Sequence, residues 1–423
     1  MSDKIMEVVG GKKNKDLVLQ LFILYVTPLC VYLQSLFFAT TNAWAAIYIA
    51  MIAGMMLTNR RFSVQVKSTD SLFFVFMLIA CFSSIRAGEY LYFMQAFLVL
   101  LFVWGYTKYD IGSLYRYLDV IVYFGIACAT ACIIQEFWNG FYTEFVSRLF
   151  KAQELETILR LEENMGNCGL MPQTSHSAAC ILNAFLILMF KNNPKNKKIV
   201  WGIILFLGLL LTGKRAHLFM GTLVFFLSFF VGYEGKKEGN AIVKGSILAV
   251  ALVCVIFIVM PFLPADNTIA KGVNTIVNFD LDDEDIMHGR ELLYAEAILM
   301  GESSPLTGHG WGSFKKTVSY RGGNTDAHNI YLQLFAEEGV IVLAVFIISA
   351  IVLTYSTIQL LKKLRRKYPE YSVEVTLIKL AFCFLLFFYL YGLTGNGLYN
   401  IDFFIVLGLG VSIIKRVKQV TNV

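Results

Sequence analysis

The sequence predicts an all-α integral membrane protein of about a dozen transmembrane helices, and three observations carry that prediction. Hydrophobic residues make up 57% of the 423-residue chain and charged residues only 16%, whereas soluble domains stay near about 45–50% apolar. The apolar residues come in blocks of roughly 15–22, the length a helix needs to cross a bilayer. Basic residues collect in alternate connecting segments. Lipid offers the backbone no hydrogen-bond partner, so each block must be helical. No alternation of period two is present, which argues against a β-barrel.

In chain order the predicted spans are 17–37, 40–57, 71–84, 90–106, 117–134, 174–190, 199–211, 216–233, 243–262, 339–360, 373–393 and 398–414. The first is too long for a signal-peptide core and no small-residue cleavage site follows it, so it reads as a retained helix. Lysines and arginines then orient the chain. They occur before the first span (Lys4, Lys12, Lys13, Lys15) and after the second (Arg60, Arg61, Lys67). Lys108 and Arg116 follow the fourth span, Lys191 to Lys198 the sixth, and Lys236 with Lys237 the eighth. Lys362 to Lys367 follow the tenth, and Lys415, Arg416 and Lys418 end the chain. Roughly two-thirds of all Lys and Arg lie on this side, which the positive-inside rule makes cytoplasmic, with both termini. The chain divides into spans one to nine over 1–262, with a surface-lying helix near 141–164. A large extracytoplasmic loop between the ninth and tenth spans covers 263–338, and the last three spans and a cytoplasmic tail cover 339–423.

The formal charge of +6 orients the protein and is no signal for nucleic acid. Of the eight cysteines, most lie inside apolar blocks, with neither a metal-ligand spacing nor a disulfide framework. All five histidines fall on the outer side. No phosphate-binding glycine loop of the nucleotide-hydrolase type occurs, so chemistry outside must use a substrate that arrives already activated.

Four outer spots carry chemistry. Thr212-Gly213-Lys214-Arg215-Ala216-His217 forms a tight hairpin, and its cations read either as snorkelling to lipid phosphates or as an anion clamp. An acidic run (Asp280, Asp282, Asp283, Glu284, Asp285) precedes Gly289-Arg290 and a helix-like stretch. It complements a helix dipole or holds a divalent cation, and Arg290 either pairs with it or serves a ligand. The segment from Pro305 to Phe314 has close glycines without a preceding strand, so it is a turn and not a dinucleotide fingerprint. Within it Trp311 reads as a sugar-stacking ring or as an interfacial tryptophan. In Thr325-Asp326-Ala327-His328-Asn329-Ile330-Tyr331-Leu332, Asp326 or Thr325 is the expected N-cap. That puts His328 in the first turn of a helix, where the dipole favours neutral imidazole able to accept a proton. Glu337 and Glu338 follow, one of them a candidate helper carboxylate.

This combination resembles the O-antigen ligase and Wzy-type polysaccharide polymerase superfamily. The basic pair opening a helix resembles Gly213-Lys214-Arg215. Gly-Arg, then a helix, a proline and close glycines resembles Gly289-Arg290 through Gly308-His309-Gly310. His-Asn-x-Tyr-Leu followed by Glu-Gly resembles His328-Asn329-Ile330-Tyr331-Leu332 with Glu338-Gly339. The resemblance implies a GT-C-like membrane glycosyltransferase of the bacterial cytoplasmic membrane, acting without metal or cofactor. Its donor would be an oligosaccharide on undecaprenyl diphosphate and its acceptor another glycan. Membrane lipids, a flippase and a chain-length regulator are the further expected partners. Carried over by position, Arg215 and Arg290 hold the donor diphosphate and His328 takes the acceptor proton. Lys214, His309, Trp311, Asn329, Tyr331 and Glu338 are expected to line the substrate. The polymerase is favoured over a ligase that moves glycan to a lipid A core. A lipid-oligosaccharide flippase is the rival from another class, but it would place more charge along a central path within the helices.

Overall fold

The computed structural model of the chain describes residues 68–106, 111–138, 140–150, 166–231, 243, 290–318 and 326–422. The expected spans 17–37, 40–57 and 243–262, and the acidic run at 280–285, lie outside the described residues but for Val243. Among the described residues the fold is helical throughout, with no strand.

The helices are α1 (Ser68–Arg86), α2 (Tyr90–Tyr106), α3 (Ile111–Phe137), α4 (Thr174–Phe190), α5 (Lys195–Leu211), α6 (Arg215–Phe230), α7 (Arg290–Ser303), α8 (Ser313–Thr317), α9 (Ile330–Lys367), α10 (Val373–Tyr391) and α11 (Ile401–Thr421). Among the described residues, α3, α9 and α10 are long and apolar enough to cross a membrane, and α1, α4 and α6 are shorter apolar helices. Their outward faces stay apolar: Phe82 is 71% exposed, Phe219 64% and Ile351 63%. Water would penalise such a surface, and hydrocarbon accepts it.

Helix α10 is the axis of the arrangement. Its apolar residues run all round, as suits a helix surrounded by protein, and 78% of its most apolar stretch is buried, against 28% for α9. Helices α9, α1, α2, α11 and α10 pack in sequence as a closed ring. Helices α3, α4 and α5 form a second group, joined to the first where α4 and α6 meet α10. Lipid removes the hydrophobic incentive for helices to associate, so close contact through small residues replaces it. Accordingly, Ala184 of α4 faces Gly125 of α3, and Ala129 of α3 faces Gly208 of α5.

Two local outcomes differ from expectation. The surface-lying helix near 141–164 begins as a π-helical turn, Phe141–Val146, followed by a 3-10 turn, Ser147–Leu149. Tyr142 and Val146 point inward while Phe145 and Leu149 stay exposed, and residues 151–165 lie outside the described residues. The tenth span, expected to start at Gly339, instead continues a helix begun at Ile330, with a kink at Gly339 (φ 74°, ψ 177°). That backbone conformation belongs to glycine alone.

The kink has a physical cause. The turn Pro305–Gly312 wraps around it: the Val340 N–H donates to Pro305 O at 2.8 Å and the Gly310 N–H to Glu337 O at 2.6 Å. Gly308, itself at φ +56°, leaves no room for a side chain, since a Cβ there would stand 2.2 Å from the Glu337 carbonyl. Both the clash and the left-handed backbone oppose a side chain, so Gly308→Ala is expected to destabilise the protein by about 2 kcal/mol or more. A lowered melting temperature of the detergent-solubilised variant checks this; an unchanged one removes the turn's claimed tightness.

Candidate functional site

The site is built where α7, the start of α9 and the segment after α10 converge. That last segment, Gly392 to Asn400, acts as a common platform. The Ile330 N–H donates to Gly392 O at 2.9 Å, Asn329 Nδ2 to Leu393 O at 3.2 Å, and Arg290 Nη1 to Thr394 O at 3.3 Å. Deeper in, Asn396 Nδ2 donates to Gln333 Oε1 and the Tyr399 hydroxyl to Glu337 Oε2. Arg290 and the two residues that follow His328, far apart in sequence, are thus seated on one strip of backbone.

The helix cap is not the expected one. Asn329, rather than Asp326 or Thr325, caps α9, its Oδ1 accepting from the Tyr331 N–H at 3.0 Å and the Leu332 N–H at 3.1 Å. A side-chain cap of this kind contributes about 1 kcal/mol. His328 therefore stands just before the helix and not in its first turn. Its backbone is left-handed, at φ 54°. The neutral imidazole has a different source from the helix dipole. Burial comes first, and the Arg290 charge second, in pulling the His328 pKa from 6.5 to about 4. Lys214 and Lys315 push the same way, while Asp326 opposes them.

The charges of three cations act on this histidine. Arg290 opens α7 and is half-buried. Lys214 stands at the residue before α6 without capping it, and burial, with the Arg290 charge assisting, lowers its pKa below the ordinary lysine value. Lys315 of α8 pairs with Asp326 at 3.1 Å. Burial works against its charge, but Asp326 and Tyr92 outweigh it and raise its pKa. Of the hairpin pair it is Lys214 that lies in the field of Arg290 and His328; the Arg215 side chain is exposed. One turn further along α6, His217 is buried, its ring 4.5 Å from Tyr391 at the end of α10.

The other expected substrate residues have structural partners. Trp311 is 1% exposed, packed between Phe76 at 5.7 Å and Tyr399 at 5.1 Å, so no ring face is left for a sugar. Left-handed Gly310 and Gly312 on either side direct it inward. The ring of His309 closes the end of α7, with Nε2 at 3.1 Å from Met300 O and 2.8 Å from Ser303 Oγ. The Tyr331 hydroxyl donates to Tyr389 O at 2.8 Å. Glu338, 2% exposed, accepts from the Ser83 hydroxyl.

Sequence reasoning passed over Lys315, Gln333, Glu337 as an organiser, and the platform. Glu337, fully buried, accepts from the Gly312 N–H (2.7 Å), the Phe314 N–H (3.0 Å), Gln333 Nε2 (3.1 Å) and the Tyr399 hydroxyl. A buried carboxylate is tolerated only with such a set of donors. It fastens the glycine-rich turn to α9, and so α8 with Lys315 to the site. The run Thr394-Gly395-Asn396-Gly397 between the last two apolar blocks was the available signal for the platform.

Fold and site together define a helical membrane protein with a cation-rich polar centre assembled at helix ends around a neutral histidine. A family model described as O-antigen ligase matches residues 200–347, the stretch holding Lys214, Arg290, Lys315 and His328. The match supports placing this chain in the O-antigen ligase and Wzy-type superfamily, as its motifs indicate. A search of curated proteins found no match.

Proposed function

We propose that this chain is a polysaccharide polymerase of the bacterial cytoplasmic membrane. It joins undecaprenyl-diphosphate-linked oligosaccharide repeat units at the outer face. The observation that carries this reading is that Arg290 and the start of α9 just after His328 meet on the 392–394 backbone, with the charges of Lys214 and Lys315 also acting on His328. The family covers O-antigen ligases and related polymerases, which are membrane glycosyltransferase-like enzymes. In this reading twelve spans place both termini in the cytoplasm and 263–338 outside.

The chemistry follows from charge. An acceptor hydroxyl attacks the anomeric carbon of the donor's first sugar while His328 takes its proton, which a neutral imidazole is suited to do. The bond from that carbon to the diphosphate oxygen breaks, and negative charge develops on undecaprenyl diphosphate. Fixed cations stabilise it as it forms. Arg290 offers a planar fork for two phosphate oxygens; Lys214 and Arg215, on the facing hairpin, supply the rest. The donor's own diphosphate provides the driving force, so neither nucleotide nor metal is required, and attack opposite the leaving group inverts the anomeric centre.

The family's description as O-antigen ligase favours a second reading, transfer of glycan to a lipid A core. One assay separates the two. Purified protein, given its lipid-linked repeat unit without nucleotide or metal, is expected to yield a ladder of products of increasing length on a gel. Transfer only after lipid A core is added would make it a ligase, and no transfer under either condition would leave a flippase as the better reading.

A further inference from the structure

His328 holds a backbone conformation that non-glycine residues avoid at a cost of about 1–2 kcal/mol. Among the described residues only His328 and Asn422, the residue closing the last helix, have a positive φ without being glycine. Something must hold His328 there. On its C-terminal side Asn329 caps α9 and reaches Leu393 O. On its N-terminal side the work falls to Gln333, fully buried on the first turn of α9.

Gln333 is an expensive residue to bury, since an apolar side chain would pack there without desolvating an amide. Its polar atoms are all engaged. Oε1 accepts from the Ala327 N–H at 3.0 Å and from Asn396 Nδ2. Nε2 donates to Glu337 Oε1 at 3.1 Å and reaches Asp326 Oδ1 at 3.5 Å. Two of these partners, Ala327 and Asp326, are the residues leading into His328. The other two belong to the platform and to the carboxylate that anchors the glycine-rich turn. An amide so saturated has one orientation only, and it passes that orientation to the backbone it grips.

We propose that Gln333 is a positioning residue for transfer, clamping the 326–327 backbone to the platform so that His328 keeps its left-handed geometry and aims its imidazole at the acceptor. The proposal rests on the reading of His328 as the base. A displacement of about 1 Å at a general base costs on the order of 100-fold in rate, so the effect should fall on turnover. Releasing the clamp should also let the imidazole reach water. The charges facing it are Arg290, Lys214 and Lys315 against Asp326; less burial moves its pKa up towards 6.5.

The test uses full-length protein and the undecaprenyl-diphosphate-linked repeat unit extracted from a host deleted for this gene. Gln333→Met keeps the shape and removes every polar atom of the amide. It is expected to lower kcat at least tenfold, leave KM for the donor within about twofold, and move the acid limb of the pH–rate profile to higher pH. Asn396→Ala, which removes one hand of the clamp, should lower kcat less and again spare KM, so the proposal stays testable if Gln333→Met fails to fold. His328→Ala is assayed beside them. If it is inactive while Gln333→Met and Asn396→Ala keep wild-type kcat and pH profile, positioning is overturned and the base reading stands. If His328→Ala is fully active, the base reading falls and takes the proposal with it.

Discussion

Replacing His328 with alanine is expected to abolish polymer formation while expression and membrane insertion stay normal. Loss of a general base costs about 100- to 10,000-fold, enough to erase a gel ladder. Folding should survive, because the backbone of this segment is held by Gln333 and Asn329 and not by the imidazole. The same residue predicts a pH dependence of definite sign. Its pKa sits at about 4, lowered by burial first and then by Arg290, and in the proposed role of base it works only when neutral. Turnover should therefore stay level from neutral pH down to about pH 5 and fall as pH passes through about 4. An unperturbed histidine would start failing near 6.5. Stability follows the same sign. Below 6.5 the unfolded chain takes up a proton that the folded site resists, so this group's contribution is present above 6.5 and is lost as pH falls through its folded pKa. Initial rates of chain extension from pH 4 to 8 check the prediction; a limb centred near 6.5 would show an exposed imidazole.

Apolar helices were legible because a bilayer would impose one length and one backbone solution on every apolar block. Thus 90–106 and 174–190 were bounded as Tyr90–Tyr106 and Thr174–Phe190 are observed. Where charge flanks a block, apolarity alone stops short. Helix α5 starts at Lys195 and not at residue 199, since lysines are good helix formers and can snorkel. Within the site, residue types were more legible than roles. Arg215, Arg290 and His328, with Lys214, were marked from local pattern, and of these Arg290 and Lys214 exert their charge on His328. Asn329 as the cap, and the replacement of a dipole effect by burial and cations, depend on turn geometry that several residue types satisfy equally. Trp311 was read as a sugar-stacking ring or an interfacial tryptophan, and it is neither of these but a core residue. Nothing local says that Phe76 and Tyr399, from remote helices, enclose it. Gln333 and the 392–400 platform act only through tertiary hydrogen bonds, which leave no periodic trace in a single sequence.

Arg290 should matter most among the cations, and the form of its loss is diagnostic. Among the described residues its guanidinium makes one hydrogen bond, from Nη1 to Thr394 O, and the remaining N–H groups of the fork suit an anion. Arg290→Ala is expected to remove detectable transfer. Arg290→Lys keeps the charge but not the two-pronged geometry, so it should fold normally and remain at least about tenfold less active. Within the hairpin, the half-buried Lys214 lies in the field of both Arg290 and His328, whereas Arg215 is exposed. If the donor diphosphate binds between α6 and α7, Lys214→Ala should cost more than Arg215→Ala, by about tenfold or more in kcat/KM, because a desolvated cation acts at higher field than a solvated one. The opposite order would mean that Arg215 turns inward when the donor arrives, and that the phosphate is held by the pair of arginines the motifs suggest. Loss in both variants with an unaltered Arg290→Ala enzyme would instead remove α7 from donor binding. Initial rates of lipid-linked repeat consumption for the four variants, each checked for membrane insertion, separate these outcomes.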